Sequence, residues 1–410
     1  MEAASARPGE FTRHWRALLG CTLAASVGAI GLSAYTNGAF APELIARAGY
    51  SREQLSFATL LLSATVAVIA PFVGQAIDRW GALRVIAGAV AGETLAFILF
   101  AIVPIGFGYF QGCILALALL GAGTTPPGYS RLVAERFDRH RGLALGLMIS
   151  GLGLTAILAP ILLTRVIGMQ GWRGGYWALA GATAILGCVG LLLVRSDGPL
   201  AAAEVRKADL ATAGAGGWGA VKRPLYWFIL LCFATPSLCG AGFLLHLIGI
   251  LLDRGFTPIE AARVQSLLGV AIIIGRFTSG WAMDRLFAPY VAGIAFAVSA
   301  VGTTLLLSQS GLLLSFAALA IGVTIGAELD ILGFTLSRYF GLANFARLYG
   351  LAYSTMILAG GASPLFIAKL ALGADFTLPV IVCASGLALS ALGVSRLPRF
   401  ASAVPDHRAR

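Results

Sequence analysis

Twelve apolar runs, each about long enough to cross a bilayer, decide which solvent this chain can live in. A helix needs roughly 20 apolar residues to pass some 30 Å of hydrocarbon. Such runs fall at about 17–41, 55–77, 83–103, 108–130, 142–166, 174–194, 224–251, 264–283, 288–308, 311–336, 347–371 and 376–396. Composition closes the alternatives. Of 410 residues, 58% are hydrophobic and 11% are charged, where a soluble domain carries about 25% charge. A soluble enzyme, a coiled coil, a disordered chain and a secreted disulfide scaffold are excluded, because no single core could hide this much apolar surface. Lipid is the expected partner, and the fold class is an all-α membrane protein with twelve transmembrane helices.

The formal charge of +11 does not indicate a nucleic-acid partner, because the basic residues lie in short gaps between runs. With the N-terminus inside, 21 Lys and Arg fall in inside segments and 7 in outside loops, with Arg276 in neither group. Translocated loops disfavour these residues, so both termini are expected in the cytoplasm and the chain in a cell inner membrane. The run after Arg7, Arg13 and Arg16 lacks a small-residue cleavage site and reads as a retained first span. All six cysteines lie inside apolar runs, with neither a disulfide framework nor metal-ligand spacing. No cofactor is expected.

One connector is long. Residues 195–223 hold Arg195, Arg206, Lys207, Lys222 and Arg223 with Asp197, Glu204, Asp209 and a glycine-rich stretch, Gly214–Gly217. This cytoplasmic linker separates a bundle over 1–194 from one over 224–410. The two are duplicates. Gly74-Gln-Ala-Ile-Asp78-Arg79 matches Gly280-Trp-Ala-Met-Asp284-Arg285 at an offset of 206, and Phe137 matches Phe340 at 203. Gly146 and Pro160 match Gly350 and Pro364 at 204. Near-constant offsets indicate two pseudo-symmetric six-helix bundles.

The stretch Gly74-x-x-x-Asp78-Arg79-x-Gly81-x-x-Arg84 resembles the signature of the major facilitator superfamily. Phe137-Asp-Arg-His-Arg141-Gly142-Leu-Ala-Leu-Gly146, the following Gly151, Gly153 and Pro160, Gly171-Trp172-Arg173, and Arg276 in span 8 resemble bacterial relatives of the monocarboxylate transporters and oxalate–formate antiporters. Two departures exist: His14-Trp15-Arg16-Ala17 stands where animal carriers have an acidic-Gly-Gly-aromatic signature, and Ile272 stands where they have an aspartate. The resemblance implies alternating access around a site between the halves. It also implies a gate at the cytoplasmic side, formed by Asp78, Arg79, Arg84, Asp284, Arg285 and Arg338. An arginine at position 276 would contact a substrate carboxylate.

Ionisable side chains inside spans cost about 2.5–3.5 kcal/mol each on insertion scales, so they are functional candidates. Arg276 lies eight residues from Asp284, about 12 Å along a helix, too deep to reach headgroups easily. Its guanidinium stays charged and matches a carboxylate with two parallel bonds. Glu328 and Asp330 lie near mid-depth of span 10 and are the proton-coupling candidates. Two positions apart means about 200° around a helix, so one faces the cavity and the other a neighbouring helix. His246 in span 7 is a second titrating candidate or a substrate donor. Glu93, in a span that the resemblance makes peripheral, reads as a bond to a neighbouring helix. Uncharged candidates for the substrate site are Tyr35, Asn37, Thr125, Tyr129 and Tyr353, with Thr124 and Ser354 beside them. At an offset of 203, Thr125 and Pro127 correspond to Glu328 and Asp330, so the binding chemistry is asymmetric between the halves.

The expected function is secondary transport by a monomer, not catalysis: a small organic anion, a monocarboxylate foremost, moving inward with a proton. The alternatives are an organic-anion exchanger or a carrier of a larger uncharged or aromatic solute such as a vitamin. A transporter-like sensor would need an output domain, and an enzyme or ATP-driven pump a catalytic constellation or a phosphate-binding loop; neither pattern is present.

Overall fold

A computed structural model describes residues 10–137, 141–197, 221–283, 285–340, 345–371 and 375–400, all helix, turn and short connector apart from one isolated bridge residue. Local rules place the ends. Span 2 (Arg52–Trp80) starts on a capping box in which the Ser51 hydroxyl accepts from the Gln54 N–H and the Gln54 side chain accepts from the Ser51 N–H. Span 7 starts on Pro224, whose missing N–H costs nothing at a first helical turn. Span 1 stops at Gly49 and span 2 at Gly81, both at positive φ, where a glycine carries no Cβ penalty.

Spans 3 (Ala82–Ile102), 8 (Pro258–Met283), 9 (Ala288–Leu305), 10 (Gly311–Phe340), 11 (Phe345–Leu370) and 12 (Thr377–Ser395) are single helices. Spans 8, 10 and 11 run past the apolar stretches that mark them, while spans 3, 9 and 12 keep within about a residue of theirs or stop short. Spans 1, 4 and 7 are broken. Span 1 is Glu10–Ser26 plus Ala29–Ala48, bent by 44°, and span 7 is Pro224–Gly240 plus Phe243–Leu252. Span 4 is Phe107–Gly121, a tight turn at Ala122–Thr124, then Pro126–Ala134. Spans 5 and 6 are two helices within Arg141–Ser196, joined by a tight turn at Gly171 (φ 71°). Both arms pack on span 1: Gly151 on Thr22 and Gly190 on Gly20. Counted in this way the chain crosses twelve times.

Backbone groups freed at a break inside lipid need partners. At the break in span 1, the Ala29 N–H donates to Thr124 Oγ1 at 3.0 Å. At the break in span 7, the Gly242 N–H donates to Ser363 Oγ at 2.6 Å. The breaks in spans 1 and 7 are thus each closed by a hydroxyl from a neighbour in the same half, and that in span 4 by its own Thr124 and Thr125.

The halves meet along three seams: span 1 with 7, span 2 with 11, and span 5 with 8. Along the far part of these seams the backbones touch. A Cβ on Gly153 would overlap Ile273, one on Gly269 would come within 2.5 Å of the Ala156–Ile157 backbone, and one on Gly361 would overlap Ser63. Near the face carrying the termini, the repeat-related glycines Gly74, Gly280, Gly146 and Gly350 all face open space. The molecule is closed on the far face and open on the face of its termini.

Candidate functional site

Span 8 carries Arg276 18 residues from its far end and seven from the other, so the guanidinium sits inside the span rather than at headgroup level. Span 10 delivers Asp330 beside it. Nη1 of Arg276 lies 3.4 Å from each carboxylate oxygen of Asp330, longer than the roughly 2.7–2.9 Å of a tight charge-assisted bond. The pair is not sealed: the Asp330 side chain is 36% exposed and that of Arg276 14%. Tyr35, from span 1 in the other half, lies within electrostatic reach of Arg276 and Glu328. Tyr349 on span 11 is within reach of Arg276, Asp330 and Tyr353, and the Tyr349 and Tyr353 rings lie 6.2 Å apart at 29°. A fixed cation, a slack carboxylate and three phenols from both halves therefore converge. Sequence reasoning missed Tyr349, although its position one turn before Tyr353 put it on the same helix face.

Glu328 turns away from this cluster. It is buried, its Oε1 accepts from the Ser237 hydroxyl of span 7 at 3.0 Å, and its Oε2 has no partner among the described residues. Asn37 lies farther toward the closed face, in a cavity of about 160 Å³ between the halves that is also lined by Ser33, Thr59, Ser63 and Leu244.

The other candidates are not brought to Arg276. His246 is buried in the closed layer. Its Nε2 lies 2.9 Å from the Pro364 carbonyl, which only accepts, so Nε2–H is the donor; Ser56 Oγ is 3.4 Å away and the Phe376 ring covers the imidazole. Thr125 donates to the Ala122 carbonyl across the break in span 4. Tyr129 is 1% exposed inside the N-terminal bundle.

The gating set lies on the open face. Arg79 and Arg84 are exposed. Arg285 lies over the Trp281 ring and Arg338 over that of Phe400. Asp284 falls outside the described residues, as does the side chain of Asp78. Among the described residues, the ion pairs that join the halves are both on the far face: Arg52–Asp253 at 2.6 Å and Glu53–Lys369 at 3.8 Å. The first is backed by Phe376, whose ring the Arg52 guanidinium overlies at 5.2 Å. These four residues had no visible pattern in the sequence.

A family profile for the Major Facilitator Superfamily matches residues 23–364. The chain belongs to that superfamily. It is a multi-pass membrane transporter, not an enzyme. Among similar superfamily proteins, the mouse protein named monocarboxylate transporter 11 is 28% identical over 382 residues, covering 87% of this chain and 82% of that one. The gallate transporter of Pseudomonas putida is 25% identical over 411 residues, covering 87% and 88%. The crystal structure of a D-xylose-proton symporter superposes with a TM-score of 0.72 at 14% identity, covering 95% of this chain and 98% of that one; at that identity it supports the fold alone.

Proposed function

We propose that this transporter carries a small monocarboxylate together with a proton across a cell inner membrane, with both termini in the cytoplasm. The observation that carries this reading is the slack contact between Arg276 and Asp330 in a cluster open to the termini face. A guanidinium inside a span stays charged and needs an anion. Asp330 fills that need poorly, at 3.4 Å and partly exposed. An arriving carboxylate takes the guanidinium with a bidentate fork, and the displaced Asp330, having lost its cation, takes up a proton more readily. Anion and proton then travel as a neutral pair.

Two similar proteins support the class: one is named a monocarboxylate transporter and the other a gallate transporter, and gallate is itself an aromatic monocarboxylate. Tyr35, Tyr349 and Tyr353 offer faces and hydroxyls suited to an aromatic acid. Charge bias supports the orientation, with 21 basic residues counted in the inside segments against 7 in the outside loops. In this conformation the carrier is open to the cytoplasm, and Arg52–Asp253 closes the outside.

The test is uptake into proteoliposomes across a panel of short aliphatic acids, benzoate and gallate, with and without an inside-alkaline gradient. Saturable uptake of one acid, raised by the gradient and lost in Arg276→Gln, is expected. Transport of an uncharged solute with equal rates in wild type and Arg276→Gln would overturn the reading.

A further inference from the structure

Glu93 was expected to bond a neighbouring helix. It does not. It sits midway along span 3, its side chain is 0% exposed, and both carboxylate oxygens lack a hydrogen-bond partner among the described residues. The Tyr129 hydroxyl, 1% exposed, also lacks one. The carboxyl packs where two helices are broken at the same level. Gly121, at the break in span 4, would place a Cβ 3.5 Å from that of Glu93 and 2.9 Å from that of Ala29, at the break in span 1. Thr124 is the polar group that reaches the carboxyl, but no hydrogen bond of normal length forms there, because its hydroxyl donates to the Gly121 carbonyl at 2.7 Å and accepts from the Ala29 N–H. Gly28 in turn abuts the Thr124 carbonyl so closely that no Cβ would fit.

Among the described residues no cation compensates the carboxyl. The groups that face it are Thr124 and Tyr129 of span 4. Tyr129 faces Cys21 of span 1, which in turn feels Arg136 and Asp197 at the termini face. An ionised carboxylate with no cation and at best a weak contact from one already engaged hydroxyl is strongly disfavoured away from water. The acid form is the one compatible with this conformation.

We propose that Glu93 is a proton-binding site in the N-terminal half, separate from the Arg276 cluster, and that its proton holds the breaks of spans 1 and 4 together. While Glu93 carries its proton, Thr124 is free to join Gly121 to Ala29. When the proton leaves, the carboxylate draws in the hydroxyl protons of Thr124 and Tyr129, the Thr124–Gly121 bond opens, and the hinge between spans 1 and 4 loosens. Glu93 is a positioning residue: it acts on span 1, which carries Tyr35, and touches no substrate. The proposal goes beyond the carboxylate reading and does not depend on it.

The experiment uses the full chain in lipid nanodiscs without solute. Amide hydrogen exchange is followed at Gly28–Leu32 and Ala122–Thr125 as pH is raised, corrected for intrinsic base catalysis. Wild type is expected to lose about tenfold protection at the Ala29 amide through one titration, the scale of a local opening equilibrium. Glu93→Gln, a mimic of the acid form, is expected to stay protected throughout. A flat wild-type profile, or a Glu93→Gln profile that follows wild type, overturns the proposal. Should Glu93→Gln fail to fold, the Glu328→Gln/Asp330→Asn variant leaves Glu93 as the remaining mid-span carboxyl, and infrared spectroscopy reads it directly. A protonated-carboxyl stretch that titrates supports the assignment; its absence at every pH removes it.

Discussion

At Arg276 a permanent charge meets a carboxylate at a distance too long for a tight pair, and that slackness decides what each substitution does. Arg276→Lys keeps the charge and loses the planar fork, so it is not conservative here. Its uptake efficiency is expected to fall by about tenfold, equivalent to 1.4 kcal/mol of lost bidentate contact, measured as initial rate against solute concentration. Asp330→Asn removes the titrating competitor. Solute counterflow is expected to persist, while accumulation driven by an acid exterior disappears; a gradient still harnessed by this variant would move the coupling role elsewhere. The depth of Arg276 was readable in the sequence, because apolar residues flank it on both sides and Asp284 marks the helix end. The seat of His246 was not, since the rotation of a helix about its own axis is set by neighbours such as Pro364 and Phe376 rather than by local pattern. Glu93 misled for a related reason: a buried acid implies a partner, and here the local hydroxyl of Thr124 is spent on mending the backbone.

Among the elements, glycines separate the seams that are shut from those still to shut. Gly269→Ala would drive a methyl into the backbone of span 5, which cannot yield, and is expected to cost about 1–3 kcal/mol, read as a lower melting temperature in detergent. Gly146→Ala meets nothing in this conformation and removes a flexible residue from a helix, a gain of roughly 0.5–1 kcal/mol. That variant is expected to melt no lower than wild type yet to transport more slowly, because the opposite state must bring this face against its partner. Span number and repeat were visible in the sequence, since they follow from apolar length and from landmarks such as Asp78–Arg79 and Asp284–Arg285. The break in span 4 was signalled by Pro126-Pro127. Those in spans 1 and 7 were not, because Gly28 and Gly242 resemble the many glycines that merely let helices approach.

For the molecule as a whole, the far face is held shut by charges that span the two halves. Arg52–Asp253 is partly exposed, and such pairs are worth about 0.2–1 kcal/mol. Arg52→Ala is therefore expected to raise the outward-open population by no more than about fivefold. The readout is labelling of a cysteine introduced at Ser63 by an impermeant maleimide from the far side, with Arg52→Asp/Asp253→Arg restoring wild-type labelling. This closure could not be read from the chain, because the partners are 201 residues apart and each is an ordinary loop charge in isolation. The single glycine turn between spans 5 and 6 has a mechanical outcome. Span 5 bears on span 8 across the divide, span 6 bears on span 3, and Gly171 leaves no slack between them. A shift of span 5 at the seam is therefore handed directly to span 6, and through it to the side of span 3 away from the divide.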